Sequence, residues 1–262
     1  MMSDEKHIFH KQRKYSFFLR LGLYLLLFGF SQVSYSKVSN SKVFHSSKTR
    51  SILMELYSSE GCSSCPPAEK QMGRLLKDSK LWRKIIPVNF HVDYWNRLGW
   101  VDPYSNAQFT KRQRLYSLFW GSETMYTPAF VNNGASIGAS INLTKTGGQT
   151  KLSKVPKLTL SIDEKNTLSL DTSELPKGQY EAHLVMLGNG LTSKIPAGEN
   201  KGRTLVQNFV VLDYKKVPLK KGKAHEAITK GTKTAKAKSY SVAAWITRKG
   251  HPVPLQAVGG NL

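Results

Sequence analysis

Apolar and polar positions change period several times along the chain, and each change predicts an element. Residues 52–57, Ile-Leu-Met-Glu-Leu-Tyr, form an apolar run of strand length broken by one charge, Glu55. Met72, Leu75 and Leu76 then fall on one face of an amphipathic helix over 68–77. Residues 88–92, Val-Asn-Phe-His-Val, alternate with period two and predict a second strand. Residues 93–104 keep no period and are rich in aromatic and turn-forming side chains. A helix is expected over 106–118. Residues 126–138 read as proline, strand, tight Asn133-Gly134 turn, strand. A Gly-broken tail over 141–154 has room for one last helix. From Val155 the texture shifts. Strand-like runs at 158–162, 167–170, 180–187, 205–212 and 240–246 are separated by Gly, Pro, Asn and Lys. Short strands at regular intervals predict an all-β, sandwich-like C-terminal domain over 155–262.

The chain has two cysteines, Cys62 and Cys65, set as Cys-x-x-Cys between the first strand and the first helix. Strand, Cys-x-x-Cys, helix is the thioredoxin arrangement, so 51–154 is expected to be an α/β thioredoxin-like domain with an aromatic and helical insertion. Cys62 would lie at a helix N-terminus, where free N–H groups and the helix dipole favour a thiolate. A structural zinc site would need two further Cys or His ligands, and no second Cys-x-x-Cys exists. A bridge closing so short a loop removes little chain entropy and is poorly placed as a staple. Redox exchange is therefore favoured over staple or metal, with Cys62 as the more exposed nucleophile and Cys65 as the resolving thiol. No cofactor is called for. Copper on Cys62, Cys65 and His91 is a minor alternative, because thiolate and imidazole suit copper.

The formal net charge of the 262 residues is +22. It implies weak attraction to anionic envelope surfaces and no specific nucleic-acid partner, since acidic residues are scarce rather than basic ones concentrated. Residues 215–238 hold nine lysines and one glutamate and are read as a solvated loop or hairpin tip. At the N-terminus, Lys11, Arg13, Lys14 and Arg20 precede or enter a short apolar run, 21–30. That is the pattern of a signal peptide over 1–36, cleaved near Ser36 and followed by a loose leader over 37–50. The alternative is an uncleaved anchor; either way the remainder is exported, where a disulfide persists.

Several long stretches resemble one family. They are Leu56-Tyr57-Ser58-Ser59-Glu60-Gly61-Cys62-Ser63-Ser64-Cys65-Pro66-Pro67-Ala68-Glu69, Phe90-His91-Val92-Asp93-Tyr94-Trp95, Leu98-Gly99-Trp100-Val101-Asp102-Pro103, Arg112-Gln113 and Tyr126-Thr127-Pro128. To these add Gly198-Glu199-Asn200-Lys201-Gly202-Arg203-Thr204-Leu205 and Ala243-Ala244-Trp245-Ile246. Together they resemble the secreted bacterial proteins of domain-of-unknown-function family 1223. The resemblance implies a thioredoxin-like fold and a periplasmic or secreted location, but no substrate. Asn96 departs from the family pattern, in which an acidic residue follows the tryptophan.

The resemblance also maps a cis proline onto Pro128, opposite the cysteines. The backbone of Thr127 would then pair with an extended substrate, with Tyr126 and Trp95 beside it. His91, Asp93 and Trp95 alternate, forming either a polar wall near the cysteines or a buried His–Asp hydrogen bond. Glu55 takes the part of the buried acid that thioredoxins place in this strand, moving protons at Cys65; the alternative is a Glu55 paired with a lysine or arginine. The stretch 198–204 is read as a turn. The function expected is an exported thiol-disulfide oxidoreductase acting on protein thiols, disulfides or a redox partner protein. The other reading is a non-enzymatic envelope binding module with a structural disulfide.

Overall fold

Strand formation begins earlier than the sequence predicts. In the computed structural model, which describes residues 41–141, 154–230 and 236–262, the expected loose leader contains strand β1, Lys42–His45. It pairs with a strand of the C-terminal half, Phe44 opposite Leu160. The reason is burial: Phe44 packs into a core cluster there and against Gly260, where a Cβ would collide with its ring. The segments assigned to signal peptide (1–36) and last helix (142–153 of the tail) lie outside the described residues. Among the described residues no helix is long and apolar enough to cross a membrane.

The elements then follow as β2 (Ile52–Ser58), α1 (Cys65–Gly73), β3 (Ile85–His91), α2 (Ala107–Phe119), β4 (Ala129–Asn132) and β5 (Ala135–Gly138). Helix α1 starts at Cys65, three residues before the expected start, because Pro66 and Pro67 fit the first turn, where no N–H is needed. It ends at Gly73 and passes into a 3-10 turn, Arg74–Lys77. The β4–β5 turn uses Asn133 and Gly134 at positive φ, 48° and 89°, as an Asn-Gly hairpin requires. Helix α2 is capped by Asn106, whose side chain accepts from the Gln108 N–H.

The second half is all strand: β6 (Lys157–Ile162), β7 (Thr167–Ser173), β8 (Tyr180–Asn189), β9 (Leu191–Lys194), β10 (Thr204–Gln207), β11 (Val210–Pro218), β12 (Lys223–Ala227), β13 (Ser239–Arg248) and β14 (Pro254–Asn261). The lysine-rich stretch supplies the end of β11, a turn and β12.

Both halves contribute to one eight-stranded sheet, ordered β14-β13-β8-β11-β3-β2-β4-β5. β2 lies beside parallel β3 and antiparallel β4. The halves join where Val210 of β11 pairs in parallel with Asn89 of β3. On one face, Leu53, Tyr57, Val88 and Phe90 share a core with Val185, Val211, Ala243 and Trp245, covered by Phe109 and Tyr116 of α2. On the other face, α1 packs Ala68 and Met72 on Met54 and Leu56. There too the sheet β1-β6-β7-β12 closes a sandwich over β8, β13 and β14. The expected boundary at Val155 therefore does not separate two cores: Ser39–Leu262 is one compact unit. The molecule is mostly β-sheet, with a sandwich at its C-terminal end.

Candidate active site around Cys62 and Cys65

Cys62 and Cys65 are joined by a disulfide with their Cα atoms 5.4 Å apart. The bridge closes the turn that leads into α1. Cys62 N–H donates to the Ser59 carbonyl and Cys65 N–H to the Cys62 carbonyl, which winds the chain into the helix. Ser64, the residue before α1, holds its hydroxyl 3.3 Å from Cys62 Sγ. The sequence predicts Cys62 as the exposed partner; instead both cysteines are 0% exposed.

Three segments surround this turn. The first carries the Thr127–Pro128 peptide bond, which is cis. The Ser64 hydroxyl lies 3.5 Å from the Thr127 carbonyl, and the Trp95 indole N–H donates to the Thr127 hydroxyl at 2.7 Å. Cys62, Cys65, Thr127, Pro128 and Trp95 thus come together. Tyr126 touches this group only through its neighbours: its carbonyl accepts from Gln113, and its half-exposed ring reaches Ser136.

The second is the aromatic stretch 93–104, folded back on the turn. Trp95 packs against Gly61, where a Cβ would stand 3.0 Å from the Trp95 Cβ. Trp100 N–H donates to Glu60 Oε2. Asp102 Oδ2 accepts from the Glu60 N–H and lies 2.7 Å from His91 Nδ1. The buried His–Asp contact is present, but its carboxylate is Asp102. Asp93 turns instead to the Thr110 hydroxyl, because β3 ends at His91 and the alternation stops. Asn96 accepts from the Asp102 N–H and donates to Ser105, holding this stretch without a carboxylate.

The third segment is more than the plain turn that its sequence predicts. Residues 195–203, linking β9 to β10, form a strap on the cysteine turn. Asn200, fully buried, donates its amide to the carbonyls of both Glu60 and Cys62, at 2.8 and 2.9 Å. Glu199 accepts from the Ser63 N–H, which holds its carboxyl below the ordinary range. The motif that carried the resemblance at 198–205 contained this signal; hydropathy did not.

Glu55 is not in the site. It is buried on the opposite face of β2 from α1, in a bidentate ion pair with Arg112 at 2.6 and 2.8 Å. Tyr57 and Tyr116 each donate a hydroxyl to the same carboxylate. With every lone pair engaged it has nothing to exchange with Cys65. Period two decides the matter: Ser58, not Glu55, faces α1, and its hydroxyl donates to Glu69 Oε1 at 2.5 Å. Nor does His91 join the cysteines as a ligand. Its Nδ1 is on Asp102 and its Nε2 faces Glu69 at 3.7 Å and the Asn89 amide at 3.3 Å. Among the described residues no three His, Cys, Asp or Glu side chains are grouped to hold a metal.

Glu69 and Glu60 are therefore the acids near the cysteines. Burial, with the charges of Asp102 and Glu60 added, pushes Glu69 up to about 7 against the restraint of His91 and Ser58. Burial and then Asp102 also raise Glu60. Burial works against a charged His91, but Asp102, Glu69 and Glu60 outweigh it and hold the imidazolium to about 9. Burial would raise Asp102 too; His91 and the N–H groups of Glu60 and Tyr104 keep it below its ordinary value.

A family profile described as "protein of unknown function (DUF1223)" matches residues 53–247. No curated protein matches the chain. Among solved structures, a structural-genomics crystal structure of an Agrobacterium tumefaciens protein is similar at a TM-score of 0.60. It has 18% identity and covers 79% of this chain and 92% of that one. HBP35 of Porphyromonas gingivalis is similar at a TM-score of 0.54 and 12% identity, over 83% of this chain and 76% of its own. At such identities the likeness is one of fold.

Proposed function

Because this chain belongs to the DUF1223 family, whose function is unknown, we propose its activity from the site itself: an exported thiol-disulfide oxidoreductase working through Cys62 and Cys65. The observation that carries the reading is the position of the bond. The disulfide spans the entrance to α1, with the Thr127–Pro128 segment against Ser64. Support for the reading comes from the order of strand β2, the Cys-x-x-Cys turn and α1, which is the order a thioredoxin-like arrangement would have. A bridge over so short a loop contributes little as a staple, whereas a helix start stabilises a departing thiolate. In the exchange, a substrate protein's thiolate attacks Cys62 Sγ. A new sulfur–sulfur bond forms, the Cys62–Cys65 bond breaks, and its electron pair leaves with Cys65. A second thiol then releases Cys62, or Cys65 returns to it. The substrate segment lies along Thr127, with Trp95 beside it. Because neither sulfur is exposed, the 195–203 strap opens before attack.

That same burial favours a second reading, an envelope binding module whose disulfide is structural. Equilibration with glutathione separates them. An exchanging bridge settles at a measurable ratio of oxidised to reduced protein; a structural one stays oxidised under reducing glutathione. The direct test is expression of Cys65→Ser in the native host. Mixed disulfides through Cys62 with envelope proteins are expected, and their absence, alongside an inert wild-type bridge, would leave the binding module.

A further inference from the structure

Four titratable side chains meet beneath the cysteine turn, and the exchange as written uses none of them. Glu60 comes from the turn itself, Glu69 from α1, His91 from the end of β3 and Asp102 from the aromatic stretch. None is more than 3% exposed. His91 is the cation that pairs with these acids among the described residues. Tyr104 packs edge-on to His91, and Ser58, Asn89, Trp100 and Gln207 complete the surround. Three carboxyls against one imidazole would leave two excess negative charges in a site without solvent, so the cluster must store protons. A second observation points the same way. The amide oxygens of Gln207 and Asn89 are buried there without partners. The Asn89 amide faces His91 Nε2, whose N–H satisfies that oxygen when the ring is charged, and the Gln207 amide lies on Glu60, where a carboxylic O–H would satisfy its oxygen.

Glu69 lies four residues after Cys65 in the same helix, so the two share one face one turn apart. We propose that Glu69 gives a proton to Cys65 Sγ as the disulfide opens and recovers it as the bond closes, with His91, Asp102 and Glu60 setting how tightly Glu69 holds it. The assignment rests on the thiol-disulfide reading. In the opening step a substrate thiolate bonds to Cys62 Sγ, the electron pair of the broken bond goes to Cys65 Sγ, and the Glu69 proton follows it. One thiol and one carboxylate result where a thiolate and a carboxylic acid stood. On closing, Cys65 returns the proton to Glu69 and attacks as a thiolate. The helix start offsets only part of the cost of a thiolate at a buried position, and a proton donor one turn away removes the rest.

The experiment has two arms. First, opening of the wild-type bridge by a small dithiol is followed from pH 6 to 8, with each rate divided by the thiolate fraction of the reagent. The corrected rate should fall about ten-fold or more as Glu69 loses its proton, and Glu69→Gln should flatten the profile by losing the fast acidic limb. A Glu69→Gln profile that keeps the wild-type slope overturns the proposal. Second, Cys62→Ser leaves Cys65 alone, and its thiolate absorbance is titrated with and without Glu69→Gln. Removing the neighbouring acid should weaken proton binding at Cys65 about ten-fold or more; coincident curves overturn the proposal. If Glu69→Gln does not fold, infrared titration of wild-type carboxyls in the oxidised and reduced protein replaces both arms. Reduction must lower the midpoint of one buried carboxyl, since its proton passes to Cys65, and unchanged carboxyl bands overturn the assignment. A protein that exchanges no disulfides with proteins, yet shows these profiles, keeps the proton assignment and loses only the function above.

Discussion

Two buried glutamates in one short segment of chain are given opposite work by their partners. Glu55 faces Arg112, Tyr57 and Tyr116, so its charge is balanced and its geometry fixed. Glu55→Gln should cost about 3–5 kcal/mol by leaving Arg112 buried and unpaired, read as a lower urea midpoint. The pH profile of disulfide opening should stay as in wild type; a changed profile would return Glu55 to the redox chemistry. Glu69 and His91 instead tie stability to pH. His91, raised to about 9, contributes fully below its ordinary value near 6.5, and that contribution is lost as pH rises through 9. Glu69, raised to about 7, favours its protonated form in the folded state, so its contribution declines from the ordinary carboxylate range up through 7. Asp102, lowered, withdraws its contribution only as pH falls past that range. The folded state should thus be most stable in mild acid and lose on the order of a few kcal/mol from pH 5 to 9. Denaturant midpoints across that range check it, and a midpoint that rises toward pH 9 would contradict the cluster's ionisation.

At the level of elements, the strap and α1 act as a pair. The strap reaches the cysteine turn through Asn200, whose amide joins two carbonyls of that turn, and through Glu199 on the Ser63 N–H. Asn200→Ala strands both carbonyls, a loss of about 1–3 kcal/mol for unsatisfied buried groups. Freed of that tie, the disulfide should react faster with a small thiol while α1 stays folded. Stopped-flow reduction beside far-UV circular dichroism measures both, and an unchanged rate would mean that the strap does not govern access. The same hairpin sends Gln207 from β10 onto Glu60, so one element is tied both to the cysteine turn and to the proton cluster.

Across the whole molecule, the sheet crosses from one half of the sequence to the other. β11 pairs with β3, and Val185, Val211, Ala243 and Trp245 pack with Leu53, Val88 and Phe90. A chain ending at 154 should therefore expose the core under α2 and fail to fold cooperatively. A sharp denaturation transition for that fragment would show that the N-terminal part stands alone. What the sequence by itself determined is local. The strand before the cysteines, the helix after them, the Asn133-Gly134 turn and the C-terminal strands β6, β7, β8 and β13 follow from period and turn chemistry, which act between near neighbours, whereas the run 205–212 divides into β10 and β11, and β9, β12 and β14 left no such pattern. The resemblance placed Thr127-Pro128 and the 198–205 motif without saying what that motif touches. Only the tertiary structure decided which acid serves the cysteines. Glu55 and Ser58 differ by three positions on a period-two strand and so face opposite sides, and partners on either side arrive from far along the chain, Arg112 to one and Glu69 to the other. It also decided that a distant strap is hydrogen-bonded to the cysteine turn and that two apparent domains share one core. Pairings such as Asn200 with Cys62, or Val210 with Asn89, join residues too distant for any hydropathy pattern to connect.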